Sequence, residues 1–267
     1  MTGIQQMLVS GIAPKSPYLY DIITQLALTT SLTTVLDAAD SRSTDGSSQT
    51  WTDIKGTANW QRGSTAGSDA NDPTFNGVAN DGKDTTYWSF DGGDYFQNST
   101  STYQDPWVKA SGAFTQVYLL FPKAGTQVLN NFSDGSGFSN RLVFYLQSGS
   151  LNLLHPTSNV GSQTLTGALN VTTSAWNFIA VTWNEATPAA KFYIQTSNET
   201  PAGASGSTRT NNLSTGSPAS WIGTDGVSFF PNLTRLGCCA FWSRELSSGE
   251  LSSIYTKLKA RRFTTLP

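Results

Sequence analysis

Hydrolysis of a glycosidic bond normally needs two carboxyl groups flanking it, one as nucleophile or base and one as acid. On a strand, carboxylates at i, i+2 and i+4 would supply them, because alternate side chains share a face. The chain has no such cluster. Glu185, Glu199, Glu245 and Glu250 stand apart, and Glu250 has a helix-capping role available to it. The lone His155 precedes Pro156, with no second histidine and no nearby thiol to build a triad or a zinc site. A hydrogen bond within a loop, or exposure to solvent, is the expected state of His155. Gly92-Gly93 reads as a turn or bulge within a strand motif rather than a phosphate-cradling loop. These residues predict a protein that is not an enzyme.

Two other constellations point to binding. Asp81, Asp84, Asp91 and Asp94 form the most oxygen-rich stretch and are the candidates for a Ca2+ ion. Their spacing is not that of an EF-hand, and the competing reading is four aspartates that make turns with their own backbone. Trp60, Tyr87, Trp88, Tyr103 and Trp107 lie in or beside loops and are candidate platforms on which sugar rings could stack. Trp88 is equally a core candidate, and Trp107 a candidate cover for a sheet edge. Cys238 and Cys239 are adjacent, so on a strand they face opposite sides, one as a small core hydrophobe. A strained vicinal disulfide is the alternative.

The composition narrows the field further. The 267 residues carry a net charge of -2, with 13% charged and 12% aromatic residues. No basic face or stripe is available for nucleic acid. The one basic cluster, Lys257, Lys259, Arg261 and Arg262, falls where a terminal helix would end and reads as complementing its dipole. The N-terminal residues show no signal-peptide pattern, and no apolar run reaches membrane-spanning length. With so few cysteines, a disulfide framework is excluded.

The elements that must position these residues are mostly strands. Runs 114–121, 141–146 and 176–183 are apolar on both faces, as suits strands in the middle of a layered structure, and 191–195 is a shorter strand of the same kind. Gly/Asn/Asp/Ser clusters separate them. One helix is predicted near the C-terminus: Ser247 and Glu250 form a capping box, and Leu251, Ile254, Tyr255 and Leu258 recur at helical spacing. Residues 1–32 read as a separate arm, followed by one domain over 33–267. Within the arm, residues 20–26 are open to a short helix or an extended conformation, packed on the domain or on a partner. Ile4, Met7, Leu8, Tyr18, Tyr20, Ile22 and Ile23 are its candidate assembly contacts.

Three stretches resemble the laminin-G-like members of the concanavalin A-like lectin/glucanase superfamily. The first joins residues 35–40, Trp51-Thr52-Asp53-Ile54-Lys55-Gly56 and residues 87–96, similar to the family's opening strands. The second is residues 176–183 with 191–194 as hairpin partner. The third, residues 236–255, resembles the closing strand, the Arg244-Glu245-Leu246-Ser247 turn and the capped helix. The resemblance implies an all-β, two-sheet antiparallel jelly-roll sandwich with one C-terminal helix and an N-terminal arm. It does not choose among lectins, glucanases, adhesion modules and virion proteins, all of which use this fold. Gly3-Ile4-Gln5-Gln6-Met7-Leu8 is similar to N-terminal tags of tailed-bacteriophage structural proteins. That similarity implies a virion protein assembled in the host cytoplasm, as a head decoration or a tail or fibre component. Its partners would be other virion proteins or copies of itself, and host-surface glycans, with no nucleic acid and no membrane insertion. A free carbohydrate-binding lectin-like module is the alternative, followed by a glucanase-type hydrolase.

Overall fold

The computed structural model describes residues 16–56, 59–98, 112–133, 141–155, 163–184, 189–201 and 219–267. Strands β1 (Leu32–Asp37), β4 (Thr74–Asn76), β5 (Tyr87–Phe90), β7 (Phe114–Phe121), β12 (Asn177–Asn184), β13 (Ala189–Ile194), β14 (Ser197–Glu199) and β16 (Thr234–Trp242) form sheet I. Its order is β14-β13-β12-β7-β16-β5-β4, and β1 also pairs with β16. Sheet II contains β2 (Thr50–Trp51), β3 (Trp60–Arg62), β6 (Phe96–Asn98), β8 (Gln127–Ser133), β9 (Arg141–Gln147), β10 (Ser150–His155), β11 (Gln163–Asn170) and β15 (Ala219–Ile222). Its order is β11-β10-β9-β8-β15-β6-β3-β2, and every pairing in both sheets is antiparallel. The result is the two-sheet jelly-roll sandwich that the motifs imply.

The sheets close on an aromatic core that includes Trp51, Trp60, Trp88, Phe96, Phe144 and Trp183. Sheet I has a second buried face. Tyr118 and Leu120 of β7 enter the inter-sheet core, while Val117 and Leu119 face a separate cluster shared with the helices. This is why the β7 run is apolar at every position. Cys238 and Cys239 split in the same way, Cys238 toward the helices and Cys239 into the inter-sheet core. Both are free thiols, and burial pushes both well above the usual thiol range.

Helix α2 (Ser248–Arg261) covers sheet I through Leu251, Ile254, Tyr255 and Leu258, and its capping box is complete. The Ser247 hydroxyl accepts from the Glu250 N–H, and the Glu250 carboxylate accepts from the Ser247 N–H at 2.7 Å. Beyond α2 the chain must cross sheet I closely. Gly237, at a register shift in β16, lets it do so: a Cβ there would come within 2.8 Å of the Phe263 ring and 3.4 Å of Trp176.

Residues 20–26 resolve in favour of a helix. Helix α1 (Leu19–Gln25) buries Leu19, Ile22 and Ile23 in the same layer as α2. Ile22 and Ile23, considered above as assembly contacts, are therefore spent within the chain, with no exposed surface to offer a partner. No side chain caps α1. Instead Asp37 accepts the Leu19 N–H at 2.9 Å, and the same carboxylate pairs with Arg262, both side chains being fully buried. Arg262 also donates to the Lys83 carbonyl at 3.1 Å and the Thr86 carbonyl at 3.2 Å. The reading of the basic tail as dipole complement thus fails for Arg262. Its partner lies 225 residues away in sequence, beyond the reach of any local pattern. Among the described residues, no helix is long and apolar enough to cross a membrane.

Candidate functional site

Among the described residues no helix lies over the outer face of sheet II, and strand alternation decides what the β2–β3–β6 end of that face presents. On β3, Trp60 enters the core and Gln61 points out; on β6, Phe96 enters and Gln97 points out; on β15, Ile222 enters and Trp221 points out. The strand pairings set these outward residues side by side. Thr50 opposes Gln61, Gln61 opposes Gln97, Gln97 opposes Trp221 and Trp221 opposes Asn131. Directly opposed side chains in antiparallel pairs stand about 4.5–5.5 Å apart at Cβ. Gln61, Gln97 and Trp221 are half-exposed, whereas Asn131 is buried.

A groove of about 310 Å3 runs along the β2–β3–β6 end of this row, lined by Gln49, Thr50, Asn59, Gln61, Gln97 and their neighbours. Among the described residues no charged side chain lines it. An acidic loop outside the groove fixes one wall. Asp72 accepts from Gln49 Nε2 at 2.9 Å and from the Asp69 N–H at 3.1 Å. Asp69 in turn accepts from the Ser64 hydroxyl and the Asn71 N–H, bonds that hold its pKa down to about 2. On the other wall Asn98 Nδ2 donates to the Asn59 carbonyl at 2.8 Å, and Asn59 Oδ1 accepts from the Asp53 N–H at 3.1 Å. Hydrogen-bonding capacity is left over: Gln49 Oε1 is buried without a donor, and the Gln61 amide has no protein partner among the described residues. Of the two, the half-exposed Gln61 amide is the group that a ligand in the groove can reach.

A family model for the concanavalin A-like lectin/glucanases superfamily matches residues 107–252, more than half of the chain. The protein belongs to this superfamily. No curated protein matches the chain in sequence. Similar solved structures include the botulinum neurotoxin serotype G binding domain, with a TM-score of 0.58 and 14% identity over 84% of this chain and 50% of that one. The binding domain of botulinum neurotoxin DC in complex with SialylT has a TM-score of 0.56 and 11% identity, over 85% of this chain and 52% of that one. The Trypanosoma rangeli sialidase has a TM-score of 0.55 and 16% identity, over 87% of this chain and 33% of the enzyme. The chain thus spans about half the length of the toxin domains and a third of the sialidase. At these identities the likeness is one of fold.

On this superfamily framework the residues singled out from sequence separate widely. Trp60 and Trp88 are fully buried and cannot serve as platforms. Trp88 packs edge-on against Trp51, Phe75 and Phe96, with centroids at 6.0, 5.1 and 5.2 Å, and Trp60 meets Phe241 at 6.5 Å. Their nearness to turns was misleading, because both strands lead straight into the core. Tyr87 is half-buried on the helix side of sheet I, remote from the groove in strand order. Tyr103, Trp107, Ile4, Met7 and Leu8 lie outside the described residues, as does Glu185. Tyr18 donates its hydroxyl to Asn80 at 2.9 Å, and the Arg42 guanidinium lies over the rings of both Tyr18 and Tyr20.

The four aspartates do not converge. Asp81 accepts from the Lys83 N–H and the Thr86 hydroxyl, and Asp91 accepts from the Gly93 N–H, as turn-forming aspartates do. Asp94 accepts from the Asp91 N–H at 2.9 Å in the turn joining the two sheets, where Gly92 takes a φ of +107°. Burial pushes the Asp94 carboxyl up to about 7. Asp84 lines a different cleft, beside Tyr87. Among the described residues no group of three His, Cys, Asp or Glu side chains is placed to hold a metal.

His155 also differs from expectation. It ends β10 fully buried, with its ring 4.8 Å from that of Trp183. The glutamates serve structure: Glu199 accepts from the Ala168 and Leu169 N–H groups, Glu245 from Asn184, and Glu250 from Arg244. Sequence reading missed Gln61, Gln97 and Trp221. The usable signal was alternation within short strands: Trp221 is followed by core-bound Ile222, and Gln61 and Gln97 each follow a buried aromatic.

Proposed function

We propose that the protein is a non-catalytic carbohydrate-binding module whose open sheet II face takes neutral sugars. The observation that carries this reading is the uncharged amide groove with unused hydrogen-bonding groups, set directly beside the half-exposed Trp221. Sugar hydroxyls match amide donors and acceptors, and the less polar face of a pyranose matches an indole. The superfamily's lectins are consistent with it. The role of the module is proposed to be that of a tailed-phage virion component, a head decoration or a tail or fibre part, which presents this face for surface attachment or particle stabilisation. Support for that role is the resemblance of residues 3–8 to phage N-terminal tags.

A glycan array probed with the wild-type chain and a Gln61→Ala/Gln97→Ala double variant tests the binding reading. Neutral glycans should be retained by the wild type and lost by the variant; hits that survive the double substitution would place binding elsewhere. Hydrolysis of retained glycans would overturn the non-catalytic part. Mass spectrometry of purified particles tests the virion role, which fails if the chain is absent from them.

A further inference from the structure

Arg235 is the first outward residue of β16 on the helix side of sheet I, beyond the end of α2. Its guanidinium carbon lies 4.8 Å from the centroid of the Tyr87 ring and 4.6 Å from that of Phe121. Trp176 braces both rings edge-on, at 6.1 Å from Tyr87 and 5.8 Å from Phe121. The N–H donors of the guanidinium lie in one plane along its edge. No carboxylate or carbonyl among the described residues accepts from that edge. Every other arginine described in detail above has an oxygen partner: Arg42 has Asp40 and Asp21, Arg244 has Glu250 and Arg262 has Asp37.

Arg235 lines a cleft of about 440 Å3, together with Asp84, Thr85, Ser174 and Thr265. This is within the usual size of small-molecule pockets, roughly 300–1,000 Å3. A second cation stands at its rim: Lys123 Nζ lies 3.1 Å from the Ser174 hydroxyl and 5.2 Å from the Phe121 centroid. Two cations against the single carboxylate of Asp84 give the cleft a local charge opposite in sign to that of the chain as a whole. A guanidinium flanked by two rings is also restrained, so less side-chain freedom is lost when a planar anion meets its fork.

We propose that this cleft is a second ligand site, distinct from the sheet II groove, and that it takes the carboxylate of an acidic sugar. The sugar carboxylate would receive a bidentate pair of hydrogen bonds from Arg235. The ring would lie beside the half-buried Tyr87 and Phe121, over the buried Trp176, and its hydroxyls would reach Asp84 and the threonine and serine hydroxyls. A bare inorganic anion would use the fork but none of the rest.

The site is tested by titrating the full chain with D-glucuronate, D-glucose and inorganic phosphate, following heat and the Trp176 indole resonance. Glucuronate should bind at least ten times more tightly than either control and shift the Trp176 signal. Arg235→Met should lose at least tenfold, and Arg235→Lys, which keeps the charge without the fork, should also weaken binding. The Gln61→Ala/Gln97→Ala variant should bind glucuronate as the wild type does. Equal affinity for glucose or phosphate, unchanged binding in Arg235→Met, or loss in the glutamine variant would each overturn the proposal. Should Arg235→Met disturb the fold, the wild-type Trp176 signal still decides, and no shift with glucuronate sinks the idea.

Discussion

Sheets I and II are of equal strand number and meet on the same aromatic core, yet their outer faces have been put to opposite uses. On sheet I the outward positions of β7, β12 and β16 are Val117, Leu119, Phe178, Ala180, Cys238 and Ala240, all buried beneath α1 and α2. On sheet II the corresponding positions of β2, β3, β6 and β15 are Thr50, Gln61, Gln97 and Trp221, with no helix above them among the described residues. Burying an apolar side chain contributes roughly 1.5–3 kcal/mol, which neutral amides left half-exposed do not supply. The contrast places the buried apolar area on the helix side and leaves the open side for the polar recognition proposed above. The Arg235 cleft lies on the helix side of sheet I at a place where outward residues again meet solvent.

The comparison can be broken most forcefully at the buried ion pair. Arg262→Met leaves Asp37 charged and without its partner beneath α1 and α2, and should cost about 3–5 kcal/mol in denaturant unfolding. A loss below about 1 kcal/mol would show that the helix layer is not held as described.

Next in size is the turn that links the two sheets. Asp94 is pushed up to about 7, above its unfolded value of 3.8, so the folded state holds the proton more tightly. The associated stability is present in full below about pH 4 and is lost as pH rises toward about 7. Asp94→Asn should flatten this decline in a melting-temperature series over that window; an unchanged slope would assign it to other groups.

A smaller loss is expected at the α2 cap. Ser247→Ala removes the hydroxyl that accepts the Glu250 N–H and should cost about 1 kcal/mol. At the lower end, Gln97→Ala on the open face should move stability by no more than about 0.5 kcal/mol while weakening glycan retention. If Gln97→Ala destabilised as strongly as Ser247→Ala, the division of labour between the two faces would not hold.

Much of this architecture was legible in the sequence because it rests on local rules. The runs in β7, β9 and β12, the α2 capping box and the opposed cysteines all follow from periodicity and short-range capping. What was illegible depends on partners distant along the chain. Arg262 reads as a dipole residue until Asp37 is brought to it, and His155 reads as a loop residue until it packs on Trp183. The aromatics misled for a related reason. Trp60 and Trp88 sit beside turns, but distance from a turn says nothing about which face of a strand a side chain occupies. The alternation that buries Trp60 is the same alternation that turns Gln61 outward.

The most direct measurement of the central claim is the indole N–H resonance of Trp221, followed while a neutral oligosaccharide that the chain retains is titrated in. Binding across the open face should shift this signal together with the Gln61 and Gln97 side-chain amides, leaving the buried indoles of Trp60 and Trp88 unmoved. Saturable binding with no change at Trp221, Gln61 and Gln97 would contradict the assignment of sheet II as the binding face.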